Sequence, residues 1–275
     1  MSFARLGPVG SEIPVFRADG AAFDLRSLTA DIDGAFLSSG GIDAARAAHS
    51  AGSLPAVDET GMRIGAPIAQ PGKIVCIGLN YSDHAEESGL AIPAEPVVFM
   101  KDPSTLVGPY DDVLIPRRSV KTDWEVELGV VIGREARYLD SPADSASVIA
   151  GYAVSHDVSE REFQLERSGQ WDLGKSCETF NPFGPELVPA DEIANPQALG
   201  LRLWVNGTPR QNGTTATMIF PIDHIIWYLS QYMVLRPGDV VNTGTPAGVG
   251  PLVTGDEVSV FVEGVGVLSN RVVSP

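Results

Sequence analysis

The chain has 275 residues, 44% of them hydrophobic, enough for one large buried core with a smaller appendage. Its 35 acidic and 19 basic residues leave a formal charge of −16, which argues against nucleic acid or an anionic membrane surface as partner. With no apolar run of membrane-spanning length, no signal-like start and only Cys76 and Cys177, the expectation is a cytoplasmic protein with free, buried thiols.

Residues 1–35 carry short strand-like pieces at 13–16 and 22–25, with helical periodicity first at 44–51. The stretch 38–72 is rich in Ser, Gly, Ala and Pro, and Pro55, Pro67 and Pro71 interrupt any long element. A boundary near residue 70 follows: an accessory unit with its linker over 1–70, and a main domain over 71–275.

The apolar run 73–78 is expected to be a buried strand. A short helix should follow, capped by Ser82 or Asp83 and ended by Gly89, with His84 and Glu87 three apart on one face. An ordinary surface pair is the plainer reading of those two residues. Another short strand is expected at 97–101.

The stretch Thr122-Asp-Trp-Glu-Val-Glu-Leu-Gly-Val-Val-Ile-Gly133 sets two carboxylates two residues apart among strand formers. Strand alternation puts Glu125 and Glu127 on one face and Trp124, Val126, Leu128 and Val130 on the other. Like charges at adjacent pleats need a cation, a proton or solvent to relieve them, so either an exposed polar face or a cation site fits. A strand over 148–156 then delivers Asp157 to the start of an expected helix at 159–167, where it is either an N-cap or a third ligand.

Further on, 201–205 followed by Asn206-Gly207 signals a hairpin, and 221–233 reads as a core-facing helix. Strands are expected again from 237, over 256–262 and over 266–273, around a Gly-rich turn at 243–250. That turn lacks the lysine of a phosphate loop and the context of a dinucleotide site, although its amides and the Thr245 hydroxyl could hold a small carboxylate. Strands outnumber helices without strict alternation, so the fold class is α+β with a mixed, strongly bent sheet. Glu125, Glu127 and Asp157 are hard oxygen donors suited to Mg²⁺ or Mn²⁺, whereas the cysteines and histidines show no zinc spacing.

Six segments in order then resemble the fumarylacetoacetate hydrolase superfamily over residues 61–275. They are Ile77-Gly-Leu-Asn-Tyr-Ser-Asp-His-Ala-Glu-Glu87, Phe99-Met-Lys-Asp-Pro103, Asp123-Trp-Glu-Val-Glu-Leu128, Asp157-Val-Ser, Lys175-Ser-Cys-Glu-Thr-Phe180 and Asp239-Val-Val-Asn-Thr-Gly-Thr-Pro-Ala-Gly248. The resemblance implies a β-roll catalytic domain, a homodimer or higher homo-oligomer, and a divalent ion, Mg²⁺ or else Mn²⁺ or Ca²⁺. It implies Glu125, Glu127 and Asp157 as metal ligands, His84 and Glu87 as the pair of a mobile lid, and Lys175 as the active-site lysine. Tyr81, Lys101, Arg161, Gln164 and Thr245 become substrate contacts, and Cys177-Glu178 departs from the Phe-Asp or Cys-Asp common after Lys-Ser.

The implied activity is cleavage of a carbon–carbon bond in a 2,4-dioxo acid, an acylpyruvate or a 2,4-dioxo-3-deoxy sugar acid. In it, Glu87 orients His84, which takes a proton from the attacking water. Oxaloacetate decarboxylation, hydration or isomerisation of related oxo acids, and a non-catalytic metal-binding role are the alternatives. Specificity is expected to lie in 86–95 and 168–181.

Overall fold

The computed structural model describes residues 1–275 apart from Ser88, Leu90 and Ser168, so parts of the 86–95 and 168–181 stretches lie outside the described residues. A long mixed sheet runs in the order Ala56–Val57, Ala21–Asp24, Ile13–Ala18, Ser2–Leu6, Asn181–Pro189, Ile149–His156, Val126–Ile132, Val240–Asn242, Ile74–Gly78 and Val97–Lys101. A second sheet orders Thr208–Thr214, Gly200–Val205, Glu257–Val262, Gly266–Val273 and Val113–Leu114. Neighbours in these two orders are antiparallel except where 240–242 meets 74–78 and where 266–273 meets 113–114. The chain is thus sheet-dominated α+β, as expected, with neither sheet closed into a barrel. No helix among the described residues is long and apolar enough to cross a membrane.

Alternation along Val126–Ile132 decides where the core sits. Val126, Leu128 and Val130 face a cluster shared with Leu203 and Val260 of the second sheet and with Ile225, Ile226 and Leu229 of helix Ile222–Tyr232. Full burial of each such side chain stabilises the fold by about 1.5–3 kcal/mol. Val131, on the opposite face, packs with Phe183 and the N-terminal Phe3, Phe16 and Phe36. Residues 1–70 join the same sheet through Ser2–Leu6, whose Phe3 is in register with Leu187.

The Asn206-Gly207 hairpin forms as expected, with φ of 52° and 72° at the turn. The helix expected at 159–167 forms only in part, as a π-helix over Glu162–Glu166. Its first two residues, Ser159–Glu160, instead pair as a short strand with Thr122–Asp123. Long-range pairing overrides local helical preference here, and it turns Arg161 inward toward Asp123 and Glu125. The strand Ser2–Leu6 goes beyond the elements expected from sequence. Cys76 is buried, but Cys177 is only partly so, which corrects the expectation of two buried thiols; both are free.

Candidate metal centre and active site

The antiparallel register of the two central strands builds the centre. Val126 stands opposite His156, so the next pair along, Glu125 and Asp157, meets at the strand ends, where the Asp157 amide donates to the Glu125 carbonyl at 3.1 Å. Glu127 lies on the same face as Glu125, two residues into the chain. Ligand oxygens of Glu125, Glu127 and Asp157 all lie within 4.8 Å of one another, and the three side chains are buried. The exposed-face reading of Glu125 and Glu127 is therefore wrong, as the two residues are 4% and 2% exposed.

Fixed cations surround two of the three acids. Lys175 Nζ donates to Glu125 Oε2 at 2.8 Å and to Asp157 Oδ2 at 2.9 Å. Lys101 Nζ donates to Asp157 Oδ1 and to the Val158 carbonyl, while Arg161 donates to Glu125 Oε1 at 2.6 Å and to Asp123 Oδ2 at 2.8 Å. Burial works against ionisation of Glu125, but Lys175 and Arg161 outweigh it and hold that carboxyl well below its usual range. Glu127 has only the Gly244 amide, at 2.8 Å, as its hydrogen-bond donor. Burial, followed by repulsion from Asp157 and Glu125, pushes Glu127 well above the ordinary carboxylate range. A buried oxygen cluster with one strained, uncompensated acid is a donor set that fits a hard divalent cation. Gly244 sits at φ +96°, and a Cβ there would meet the Asn80 Cβ at 2.8 Å, so this close approach of backbone to Glu127 requires glycine.

Beside the acids opens a cavity of about 500 Å³. Its lining includes Glu125, Glu127, Arg161, Lys175, Thr245 and His84. His84 comes from helix Ser82–Glu87, after which Gly89 takes the left-handed conformation expected of a terminator. His84 Nδ1 lies 3.5 Å from Glu87 Oε2, and the Glu87 oxygens accept the Gly248 amide at 3.0 and 3.2 Å. At the root of this helix, Asn80 Nδ2 donates to the Phe220 and Thr243 carbonyls, and its Oδ1 accepts the Phe220 amide.

His84, Lys175, Arg161, Thr245, Glu125 and Glu127 thus meet at one cavity, with Glu87 and Asp157 behind them. Thr245 has its hydroxyl committed, donating to the Val126 carbonyl and accepting from Gln211 Nε2, both at 2.8 Å. Tyr81, Lys101 and Gln164 do not line the cavity. Tyr81 is wholly buried in the apolar core, Lys101 is a buried counter-charge for Asp157, and Gln164 accepts from Arg161 at 3.1 Å. Glu178, at the departure from the family pattern, is exposed and also outside the lining. Sequence reasoning missed Asp123, which positions Arg161 and accepts the Gly250 amide at 2.6 Å, and of the apolar wall it missed Phe99 and Leu165, whereas Trp171 falls within the 168–181 stretch expected to set specificity. Asp123 was legible as the start of the Asp-Trp-Glu motif, whereas the wall comes from three separate segments.

Residues 73–273 match the family described as fumarylacetoacetate (FAA) hydrolase C-terminal. A protein of Burkholderia multivorans, named only as a hydrolase, is 49% identical over 275 residues, covering 97% of this chain and 96% of its own length. The crystal structure of 5-carboxymethyl-2-hydroxymuconate delta-isomerase from Mycobacterium smegmatis superposes with a TM-score of 0.81 at 32% identity, covering 100% of this chain and 99% of that one. Maleylpyruvate hydrolase from Sphingobium sp. SYK-6, solved with manganese(II) and pyruvate, superposes with a TM-score of 0.84 at 28% identity, covering 100% and 99%.

Proposed function

This chain belongs to the fumarylacetoacetate hydrolase family, and we propose that within it the protein is a divalent-metal-dependent hydrolase cleaving a carbon–carbon bond of a 2,4-dioxo acid, either an acylpyruvate or a 2,4-dioxo-3-deoxy sugar acid. The reading rests on one observation: three buried carboxylates meet within 4.8 Å beside the cavity that His84 and Lys175 line. Glu125, Glu127 and Asp157 would hold the ion, Mg²⁺, Mn²⁺ or Ca²⁺, which when bound supplies a Lewis acid for the oxygens of a 2-oxo acid.

Glu87, beside His84 Nδ1, orients the imidazole and leaves Nε2 to take a proton from water. The water oxygen bonds to the distal carbonyl carbon, and the bond from that carbon to the central methylene breaks. Its electron pair leaves with the pyruvate fragment, which then takes up the proton held by His84. Lys175 Nζ, fixed between Glu125 and Asp157, donates toward the oxygen on which charge develops. Lys175 and Arg161, both donating to Glu125, favour its ionised form.

A Mg²⁺- or Mn²⁺-supplemented screen for pyruvate release from short 2,4-dioxo acids and from oxaloacetate, with His84→Ala as control, tests this. Pyruvate from oxaloacetate alone would move the reaction to decarboxylation. Near-normal turnover by His84→Ala would remove the base assignment. Isomerisation of a related unsaturated oxo acid is the second reading, favoured by the likeness to the Mycobacterium smegmatis isomerase. The proposal also takes residues 1–70 as an accessory unit and the working form as a cytoplasmic homodimer or larger homo-oligomer.

A further inference from the structure

Two of the basic side chains lining the cavity, Arg161 and Lys175, meet at one carboxylate, both donating to Glu125. The rest of the lining includes Ile77, Leu79, Phe99, Leu165, Trp171 and Val249, and among the described residues that wall carries no cation. The wall begins beside this pair, where the Phe99 ring centre lies 4.9 Å from Lys175 Nζ, and continues through Trp171, whose ring centre is 5.4 Å from that of Phe99.

Trp171 is held firmly in that position. Its ring packs on Gly78, where a Cβ would come within 2.7 Å of it, and the next residue, Asp172, accepts the Met100 amide at 3.0 Å. Leu79 lines the cavity from a left-handed backbone at φ +52°, a conformation that favours glycine or asparagine, yet the position presents an apolar side chain. Leu165, from the 162–166 π-helix, is 56% exposed at the margin.

We propose that this wall makes the site selective for 2-oxo acids whose far end is an alkyl or aryl group, and that Trp171 and Leu165 are its specificity-determining residues. The inference rests on the reading of the metal end given above and narrows it to acylpyruvates with apolar acyl groups. A second carboxylate placed against this wall would lose part of its water and find no cation among the residues of the wall, which is unfavourable. The hydroxyls of a sugar acid would be desolvated for the same poor return. An alkyl or aryl tail instead gains from leaving water, and a cavity of about 500 Å³ has room for roughly fifteen water-sized groups beyond and including the oxo-acid head.

The test is calorimetric binding to the full chain with Mn²⁺ present, comparing 5-methyl-2-oxohexanoate with 2-oxoglutarate. The two ligands share the oxo-acid head and differ in an isopropyl group against a carboxylate. The wild-type chain should bind the branched acid about tenfold or more tightly than 2-oxoglutarate. Trp171→Ala should lower that ratio severalfold. Leu165→Arg, at an exposed position that does not threaten folding, should bring it to one or below by tightening 2-oxoglutarate. Equal or tighter binding of 2-oxoglutarate by the wild-type chain, or no measurable binding of the branched acid, would overturn the proposal. Ratios as expected, without cleavage of alkyl acylpyruvates, would sink the hydrolase reading and leave this one standing. Cleavage that favours carboxylated acylpyruvates would do the reverse.

Discussion

The acidic cluster and the short helix that carries His84 face the same cavity but are built in opposite ways. Glu125 and Asp157 emerge from paired central strands, and each accepts from two cationic side chains. Helix Ser82–Glu87 is six residues long, too short to be stable alone. It is tied back by the Glu87 contact with the Gly248 amide and by the Asn80 bonds at its root, while farther along Tyr228 donates to Glu95 Oε2 at 3.2 Å. On the proposed reading, ion binding would be preorganised by the sheet, whereas proton handling would ride on a short helix held by the contacts just named. The two tasks should separate cleanly under mutation.

The hardest blow to the rigid side is Glu127→Ala. Losing a ligand should remove the charge stabilisation a metal supplies, about 1000-fold or more in turnover. It should also abolish the metal-dependent gain in unfolding stability, about 2.7 kcal/mol for an intact site at 100 times the dissociation constant. An unchanged metal-induced rise in melting temperature would show that Glu127 is not a ligand. On the lid side, His84→Ala should cost about 100-fold or more in kcat while metal affinity by calorimetry stays within experimental scatter. A loss of metal affinity there would show that the two regions are one unit. Glu87→Gln, which keeps the size but not the charge of the partner of His84, should lower kcat about tenfold, less than removing the base itself. Tyr228→Phe is the mildest test: one exposed hydrogen bond to Glu95 is lost, so KM should rise by roughly two- to threefold with kcat retained. An unchanged KM would mean that residues 91–96 are held by other contacts.

The same contrast explains what could be read from the chain beforehand. Strand alternation alone set Glu125 and Glu127 on one face, and three-residue spacing alone set His84 beside Glu87, because both depend on local geometry. The role of Lys101 as a counter-charge for Asp157 was hidden, since it requires the edge strand 97–101 to end next to the 149–156 strand's terminus without pairing with it. The 159–167 segment has the composition of a helix, and only the distant partner 122–123 makes its first two residues a strand. Likewise, the N-terminal strand Ser2–Leu6 is recognisable as part of the large sheet only once 181–189 is beside it. Tyr81 lies in a family motif, yet its ring is spent on the core.

Of the four tryptophans, Trp171 is the one lining the cavity among the described residues. Its indole sits partly exposed between Gly78, the Phe99 ring and the opening. The protein therefore carries an intrinsic optical reporter of its own occupancy: a tail settling on that wall would displace water from the indole and shift its emission to shorter wavelength. Titrations could follow this signal without a label, and the corresponding change should vanish in Trp171→Phe.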